Sequence, residues 1–309
     1  MKNEKKSKYT SIGGQALIEG IMMRGPKLSA MAVRNPQKEI VLETWDTETT
    51  SRPKICKLPL IRGIFNFYDS MKTGYRCVMR SAEISTPEEN PENHTEADKK
   101  KGSLLISAAM AIGAILGVAL SIGLFIWLPA QLFQLMVKLV PSLDNRILRA
   151  VFEGVLKLVL FVGYMGAMCL MKDMRRVFQY HGAEHKTIFC FEAGLPLTVE
   201  NVRKQGRFHP RCGTSFMTLM LIVGIIISMF IQVSNPLLRT LIKLALLPLT
   251  VGIGYELIKF CGKHDNLATK IISAPGIWIQ HITVHEPDDS MIECAIEAMS
   301  AVIPKENEE

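Results

Sequence analysis

Long apolar blocks separated by polar and basic segments are the dominant pattern along this chain. The longest block runs over 104–135, and its first part, 104–127, contains no charged residue. That is enough helix to cross a hydrocarbon layer of about 30 Å. Two later blocks, 216–231 and 244–257, are apolar apart from Glu256. Each of these blocks predicts a membrane-spanning helix.

A fourth span is predicted at 147–171, although its first half carries charged residues. Glu153 and Lys157 lie four residues apart, on one face of a helix, so we expect them to neutralise each other. The predicted fold is therefore mainly α: a polytopic membrane helical bundle of about four spans. A small α+β portion is expected from the N- and C-terminal segments.

The basic residues predict the orientation of these spans, because Lys and Arg in short loops are retained on the cytoplasmic side. The cations concentrate before the first span, between the second and third, and after the fourth. Both termini are therefore predicted to be cytoplasmic in a multi-pass protein of the cell inner membrane. The start of the chain lacks the apolar segment of a secretory signal, which agrees with a cytoplasmic N-terminal region.

Outside the spans, four segments predict regular structure. Residues 31–45 alternate around a turn at 35–38 and predict two short strands. Residues 58–82 have the spacing of an amphipathic helix. Near the C-terminus, 277–284 predicts a strand and 289–301 a helix. The predicted division is an N-terminal α+β segment at 1–84, a polar linker at 85–101, a four-span membrane domain at 102–270 that carries a cytoplasmic segment, and a C-terminal cytoplasmic segment at 271–309.

Composition agrees with this organisation. The chain is 48% hydrophobic and only 21% charged, with a net charge of +7. Because the cations flank the spans without an aromatic-basic stripe, we expect membrane lipid as a partner and no nucleic acid. The seven cysteines form no CxxC pair, so free thiols are expected in a reducing compartment.

The strongest chemical motif is HxxEH, from His181 to His185. Two histidines four residues apart project from one helical face, so both imidazoles can reach a single ion. Glu184 lies beside them. In metalloenzymes with this inverted motif the histidines bind zinc and the glutamate acts as general base. A solvated or structural pair of histidines is the alternative.

Further ligands are predicted from three residues near the membrane boundary. Glu256 lies about one turn from the end of its span, where an unpaired carboxylate is costly, and it is the preferred third ligand. Its alternative is a carboxylate that snorkels to the membrane surface or pairs with Arg211. His209 and Cys212 lie on a turn before the third span and offer donors that suit zinc. Their alternatives are a loop-capping histidine and a small buried thiol.

Several ordered motifs resemble the bacterial YqhQ family of membrane proteins. They are GGQALIEG at 13–20, MMRG at 22–25, PLIRG at 59–63, YHGAEHKT at 180–187, LTVEN at 197–201, RFHPRCGTSF at 207–216, GYE at 254–256 and EPDD at 286–289. This family is a domain of unknown function whose members are described as predicted metal-dependent enzymes. The resemblance implies site roles for nine residues: Glu19, Arg24, His181, Glu184, His185, His209, Arg211, Cys212 and Glu256. Glu19 and Arg24 could instead form a buried ion pair.

The leading hypothesis is a membrane-bound hydrolase that uses a divalent metal, preferably zinc. Its predicted ligands are His181 and His185, completed by Glu256, His209 or Cys212. Glu184 is the predicted general base, and Arg211 a stabiliser of an oxyanion. The substrate would be a protein or a lipid-linked molecule. The alternatives are a non-catalytic scaffold or assembly factor with a structural metal, and an ion or metal transporter.

Overall fold

The computed structural model describes residues 10–47, 53–86, 112–113, 115–233, 235–264 and 266–304. The chain divides into two compact units. Unit 1 comprises Met1–Pro87, Met165–Leu219 and Val251–Glu309, and unit 2 comprises Glu88–Tyr164 and Met220–Thr250. Most of the predicted linker and the beginning of the first predicted span, 104–111, lie outside the described residues.

Unit 1 is built around a four-stranded antiparallel sheet with strand order β1-β2-β3-β4. Its strands are Gly13–Leu17, Gly20–Arg24, Leu28–Arg34 and Ile40–Asp46. The pairing of β3 with β4 around residues 35–38 confirms the two strands predicted there. The hairpin of β1 and β2 was not predicted.

Both faces of the sheet are covered, because alternate residues of the central strands enter two different hydrophobic clusters. Ile21 and Ala32 pack in the larger cluster with residues of the helices at 172–192 and 289–302. Met22 and Met31 pack on the other face with Cys77 of the amphipathic helix. The central strands are therefore buried almost throughout.

Ten helices are assigned in the described residues, apart from two short 3-10 turns. They are α1 (Ile61–Ser85), α2 (Ile115–Leu139), α3 (Arg146–Leu170), α4 (Lys172–Glu192), α5 (Val199–Arg203), α6 (Gly213–Met229), α7 (Pro236–Ala245), α8 (Leu247–Cys261), α9 (Leu267–Thr283) and α10 (Asp289–Val302). Helix α1 confirms the helix predicted at 58–82, and α10 confirms the one predicted at 289–301. The fold is thus mainly helical with one small sheet.

The strand predicted at 277–284 is wrong, because these residues form the C-terminal part of α9. A capping box begins this helix: the Asn266 side chain accepts the Thr269 N–H, and the Thr269 hydroxyl is paired with the Asn266 backbone. Ile279, Gln280 and Thr283 are buried along one helical face. The β-branched composition of the segment favoured a strand, but capping and packing decide for a helix.

One described helix, α2, is long and apolar enough to cross a membrane. The number rises to three if α3 with α4 and α7 with α8 are each taken as one bent span, with bends of 102° and 43°. Helix α6 is apolar but shorter, at 17 residues. The four-span arrangement therefore stays a prediction.

Within unit 2, the expected neutralisation of Glu153 by Lys157 is replaced by a different pairing. The Glu153 carboxylate accepts hydrogen bonds from Arg239 and Lys243 of α7. Gly154 allows this end of α3 to approach α6, since a Cβ there would lie 2.7 Å from the Ile225 side chain.

Candidate metal centre

Helix α4 carries two histidines of unit 1, of which His185 is buried and His181 partly buried. His181 and His185 are four residues apart on this helix, and their ring centroids are 4.4 Å apart. Cys212, on the turn before α6, joins them from a distant part of the sequence. One ligand atom from each of the three residues lies within 4.8 Å of the other two. Such convergence of two imidazoles and a thiol is the arrangement expected of a metal site.

The backbone fixes the orientation of both imidazole rings. His181 Nδ1 lies 3.0 Å from the carbonyl oxygen of Thr283, and His185 Nδ1 lies 2.6 Å from that of Arg207. A carbonyl oxygen can only accept, so each Nδ1 donates a proton. The Nε2 atoms are left for other partners, and His181 Nε2 lies 3.1 Å from Cys212 Sγ. Carbonyl groups that hold Nδ1 in this way orient metal-ligating histidines in proteins.

The local charges favour the thiolate form of Cys212. Burial raises the pKa of this thiol, but the neighbouring His181 and His185 outweigh burial and hold it well below its usual value. Burial likewise lowers the pKa of His181, yet the charge and hydrogen bond of Cys212 raise it to about 9. The thiolate is the form of cysteine that binds metals or acts as a nucleophile.

Glu184 is buried beside this cluster and contacts the edge strand β1. Its carboxylate lies beside the backbone N–H of Gly14, and burial raises its pKa, with His181 and His185 opposing that rise. A Cβ at Gly14 would lie 2.9 Å from Glu184 Cγ and Cδ and 2.8 Å from the carbonyl oxygen of Met22. Only glycine therefore allows the strand to approach the carboxylate this closely.

A cavity of about 260 Å³ adjoins the cluster. Glu184, His185 and Cys212 line it together with Gly14 and Arg211. This volume is sufficient for water and a small part of a substrate. Polar groups that converge on a cavity in this way are the usual starting point for an active-site hypothesis.

Arg211 lines the same cavity, but its guanidinium is bound by other groups. It forms an ion pair with Glu192 and donates to the carbonyl oxygen of Thr10 at 3.0 Å. Thr10 N–H in turn donates to Glu192 at 3.0 Å. Arg211 and Glu192 thus hold the segment that leads into β1 at the cavity wall. The pairing with Glu256 considered from the sequence is not formed.

His209 lies next to the cluster without joining its group of converging ligand atoms. Its ring centroid is 5.5 Å from that of His185 and 4.7 Å from that of Phe189. Burial lowers its pKa to about 2, with His185, Arg211 and His181 contributing in the same direction. Neutral His209 accepts the backbone N–H of Arg211 at 3.3 Å, which stabilises the turn that carries Cys212.

Glu256, the preferred third ligand from the sequence, is not among the converging atoms. Its carboxylate accepts two hydrogen bonds from the Arg62 guanidinium, of which the one from Nε is 2.7 Å long. It also accepts a third hydrogen bond, from the Leu60 N–H at 3.3 Å. Arg62 supplies the compensation that the Glu256 carboxylate was expected to require. Cys212, and not Glu256, belongs to the group of converging ligand atoms with His181 and His185.

Glu19 and Arg24 do not form the ion pair considered from the sequence. Glu19, in the β1–β2 turn, binds Arg176 at 2.5 and 2.6 Å and lies 3.3 Å from the Tyr180 hydroxyl. It therefore fastens the hairpin to α4 just before His181. Arg24 lines a separate cavity with Trp45.

Several supporting groups were not found from the sequence. The Gln280 side-chain amide accepts the His209 backbone N–H at 2.8 Å and donates to the His209 carbonyl oxygen at 2.7 Å. These two hydrogen bonds hold the turn that carries Cys212 against α9. The carbonyl oxygens of Thr283 and Arg207 carry no side-chain signal.

The comparisons with known proteins extend over most of the chain. A family model described as "Protein of unknown function (DUF1385)" matches residues 58–305. The chain belongs to the DUF1385 family. A relative named "Uncharacterized protein YqhQ", from Bacillus subtilis (strain 168), is 32% identical over 296 residues, which cover 94% of this chain and 92% of the relative. No solved structure gives a significant match. Family membership is thereby confirmed, and the DUF1385 description assigns no activity.

Proposed function

We propose that this DUF1385 protein is a membrane-bound hydrolase that uses a divalent metal. His181, His185 and Cys212 are its ligands, and Glu184 is its general base. The observation that carries the proposal is the fixing of both Nδ1 atoms by backbone carbonyls, which leaves two imidazole nitrogens directed at a buried thiol. Structural histidines that merely fill a core need no such convergence.

The donor set fits a zinc-like ion. Two imidazoles and a thiolate suit zinc among the common divalent metals, and three protein ligands leave a fourth position for water or substrate, as in catalytic zinc sites. When bound, such an ion supplies Lewis acidity and lowers the pKa of water at the site. Glu184, His185 and Cys212 line the cavity, so a reactant can bind next to them.

The remaining chemistry is assigned to residues of the chain. Glu184, whose pKa is raised by burial, takes the proton of the attacking water and returns it to the leaving group. Its contact with Gly14 N–H holds the carboxylate in place. Arg211 is assigned to holding the segment at Thr10, because Glu192 already neutralises its charge. Stabilisation of an oxyanion by Arg211 would first require release of Glu192.

The proposed location is the inner membrane, with four spans centred on α2, α3, α6 and α8 and both termini in the cytoplasm. The support is the apolar character of these helices and the concentration of basic residues in alternate connecting segments. The metal centre would then act from the cytoplasmic side, on a protein or lipid-linked substrate.

A second candidate function is suggested by one specific contact. Cys212 Sγ lies 3.1 Å from His181 Nε2, and a thiolate beside an imidazolium is also the activated nucleophile of cysteine hydrolases. In this case Cys212 would attack the substrate without a metal. Two measurements separate these functions. Added zinc should protect a metal-ligating Cys212 from alkylation by iodoacetamide. A nucleophilic Cys212 should instead support hydrolysis without added zinc.

The test of the proposed hydrolase is a comparison of the zinc-loaded protein with its Glu184→Gln variant. Both are assayed against fluorogenic ester, amide and peptide substrates. We expect hydrolysis by the parent protein and a loss of about a hundredfold or more in the variant, since general bases contribute on the order of 10²–10⁴ in rate. Equal, measurable rates at equal zinc content would refute the role of Glu184. No hydrolysis by either zinc-loaded protein would favour a structural metal in a scaffold.

A further inference from the structure

Unit 2 contains a second cluster of charged side chains, in which one carboxylate is buried between two cations. Glu153 accepts from Arg239 Nη2 at 2.5 Å and from Lys243 Nζ at 2.7 Å. The exposed fractions of the Glu153, Arg239 and Lys243 side chains are 3%, 9% and 11%. Arg239 and Lys243 are one helical turn apart on α7 and reach the same carboxylate. Positive charge is therefore left in excess at a site with little water.

A cavity of about 340 Å³ lies beside this cluster. Arg146 and Arg149 line it together with Arg239 and Lys243, whereas its carboxylates are Glu153 and Asp144. Asp144 contributes little compensation inside the cavity, because its side chain is 61% exposed and exposed ion pairs are weak. The wall of this cavity is thus predominantly cationic.

One donor in this region has no partner. Arg149 Nη2 donates to Asp144 at 3.0 Å, but its Nε atom is buried without a hydrogen-bond partner among the described residues. A buried donor left without an acceptor costs free energy. An acceptor with several oxygen atoms inside the cavity would satisfy Arg149 and balance Arg239 and Lys243 together.

We propose that this cavity binds a phosphate-type oxyanion, supplied by the headgroup of an anionic membrane lipid or by free phosphate. Arginine forks match the oxygen geometry of phosphate, and a compact lysine ammonium adds a point charge. The lipid source has additional support from α7, where Leu237, Leu238 and Leu241 are 71%, 49% and 54% exposed. These apolar side chains, close in sequence to Arg239, offer a surface for acyl chains.

The proposed site would bind a ligand of the opposite charge to that of the metal centre: an anion instead of a cation. There, imidazole nitrogens and a thiol sulfur that can bind a cation converge, whereas here cationic side chains converge. The alternative is a purely structural ion-pair cluster that fastens α7 to α3 and binds nothing. The two can be distinguished because only a binding site responds to the anion in a saturable way.

The experiment uses the full chain reconstituted in phosphatidylcholine vesicles. Its unfolding temperature is followed while phosphatidylglycerol or inorganic phosphate is added, with sodium chloride at matched ionic strength as reference. We expect saturable stabilisation by at least one of the two probes. A response to phosphatidylglycerol alone identifies a lipid headgroup, and a response to inorganic phosphate identifies a soluble ligand.

Three variants locate the response. Arg149→Gln and Arg146→Gln remove cations of the cavity wall without touching Glu153, and each should raise the half-saturating concentration about tenfold, as expected for loss of one charged hydrogen bond. Lys138→Gln, at an exposed lysine of α2 that does not line the cavity, should leave it unchanged. Arg146 is exposed, so its variant should fold even if Arg149→Gln does not. No saturable response of the parent protein, or equal responses in Arg146→Gln and Lys138→Gln, would overturn the proposal.

Discussion

The clusters at His181 in unit 1 and at Glu153 in unit 2 both hold buried polar side chains, but they differ in what they lack. In unit 1, carbonyl oxygens accept hydrogen bonds from Nδ1 of His181 and His185, so that both Nε2 atoms are left for Cys212 or a metal. In unit 2, two cations surround a single carboxylate. The number of buried charges is therefore a poor guide to function. The balance of donors and acceptors indicates which kind of ligand each cluster would accept.

The largest expected effect comes from removing the one carboxylate of the unit 2 cluster. Glu153→Gln leaves Arg239 and Lys243 buried without their counter-charge, and breaking a buried ion pair from one side typically costs about 3–5 kcal/mol. We expect a clear fall in the unfolding temperature of the detergent-purified protein. Asp144→Asn is the matched control, since it removes an exposed carboxylate and should cost less than about 1 kcal/mol. Equal effects of the two changes would contradict the account of a buried charge cluster.

A smaller effect is expected at the contact between β1 and the metal centre. Gly14→Ala places a methyl group against Glu184 and the Met22 carbonyl, and overpacking of this kind costs about 1–3 kcal/mol. Hydrolytic activity should fall as well, because Glu184, the proposed general base, is displaced. Gly13→Ala serves as control, since a Cβ there meets nothing within 4 Å. The thermal unfolding and the rate of both variants are compared, and an unaffected Gly14→Ala would show that Glu184 is not held as described.

The smallest effect on stability is expected at Glu256, which the sequence placed in the metal site. Glu256→Gln weakens a partly exposed pair with Arg62. Because exposed pairs contribute little to stability, the variant should keep nearly the parent's unfolding temperature and its full zinc content. Cys212→Ser should weaken zinc binding instead. The two variants are compared by zinc titration against a chromogenic chelator. Loss of zinc in Glu256→Gln but not in Cys212→Ser would reverse the assignment of the third ligand.

The metal centre was accessible to sequence reasoning only where local spacing determines geometry. His181, Glu184 and His185 share five residues of one helix, so their proximity follows from helical periodicity. Cys212 was recognised as a donor but ranked below Glu256, because long-range contacts decide which of the two approaches the histidines. Arg62, which neutralises Glu256, lies almost two hundred residues earlier in the chain.

The fold shows the same limit. The turn at 35–38 is flanked by alternating residues and was predicted, whereas β1 begins with Gly13 and Gly14, which weaken a strand pattern. The β-branched residues around Ile279 predicted a strand, but this segment is part of α9. The helix is stabilised by the cap at Asn266 and by burial of Gln280. The carbonyl oxygens that orient the histidines belong to Thr283 and Arg207, and no side-chain pattern reports the position of a carbonyl.

The most direct test of the metal centre is the zinc content per chain of the detergent-purified protein after zinc loading and removal of excess ion, measured by plasma mass spectrometry. It is measured beside a His181→Ala and His185→Ala double variant that remains folded by circular dichroism. The account predicts close to one zinc per chain in the parent protein and a loss of that zinc in the variant. No retained metal in the parent protein, or equal zinc in both, would contradict it.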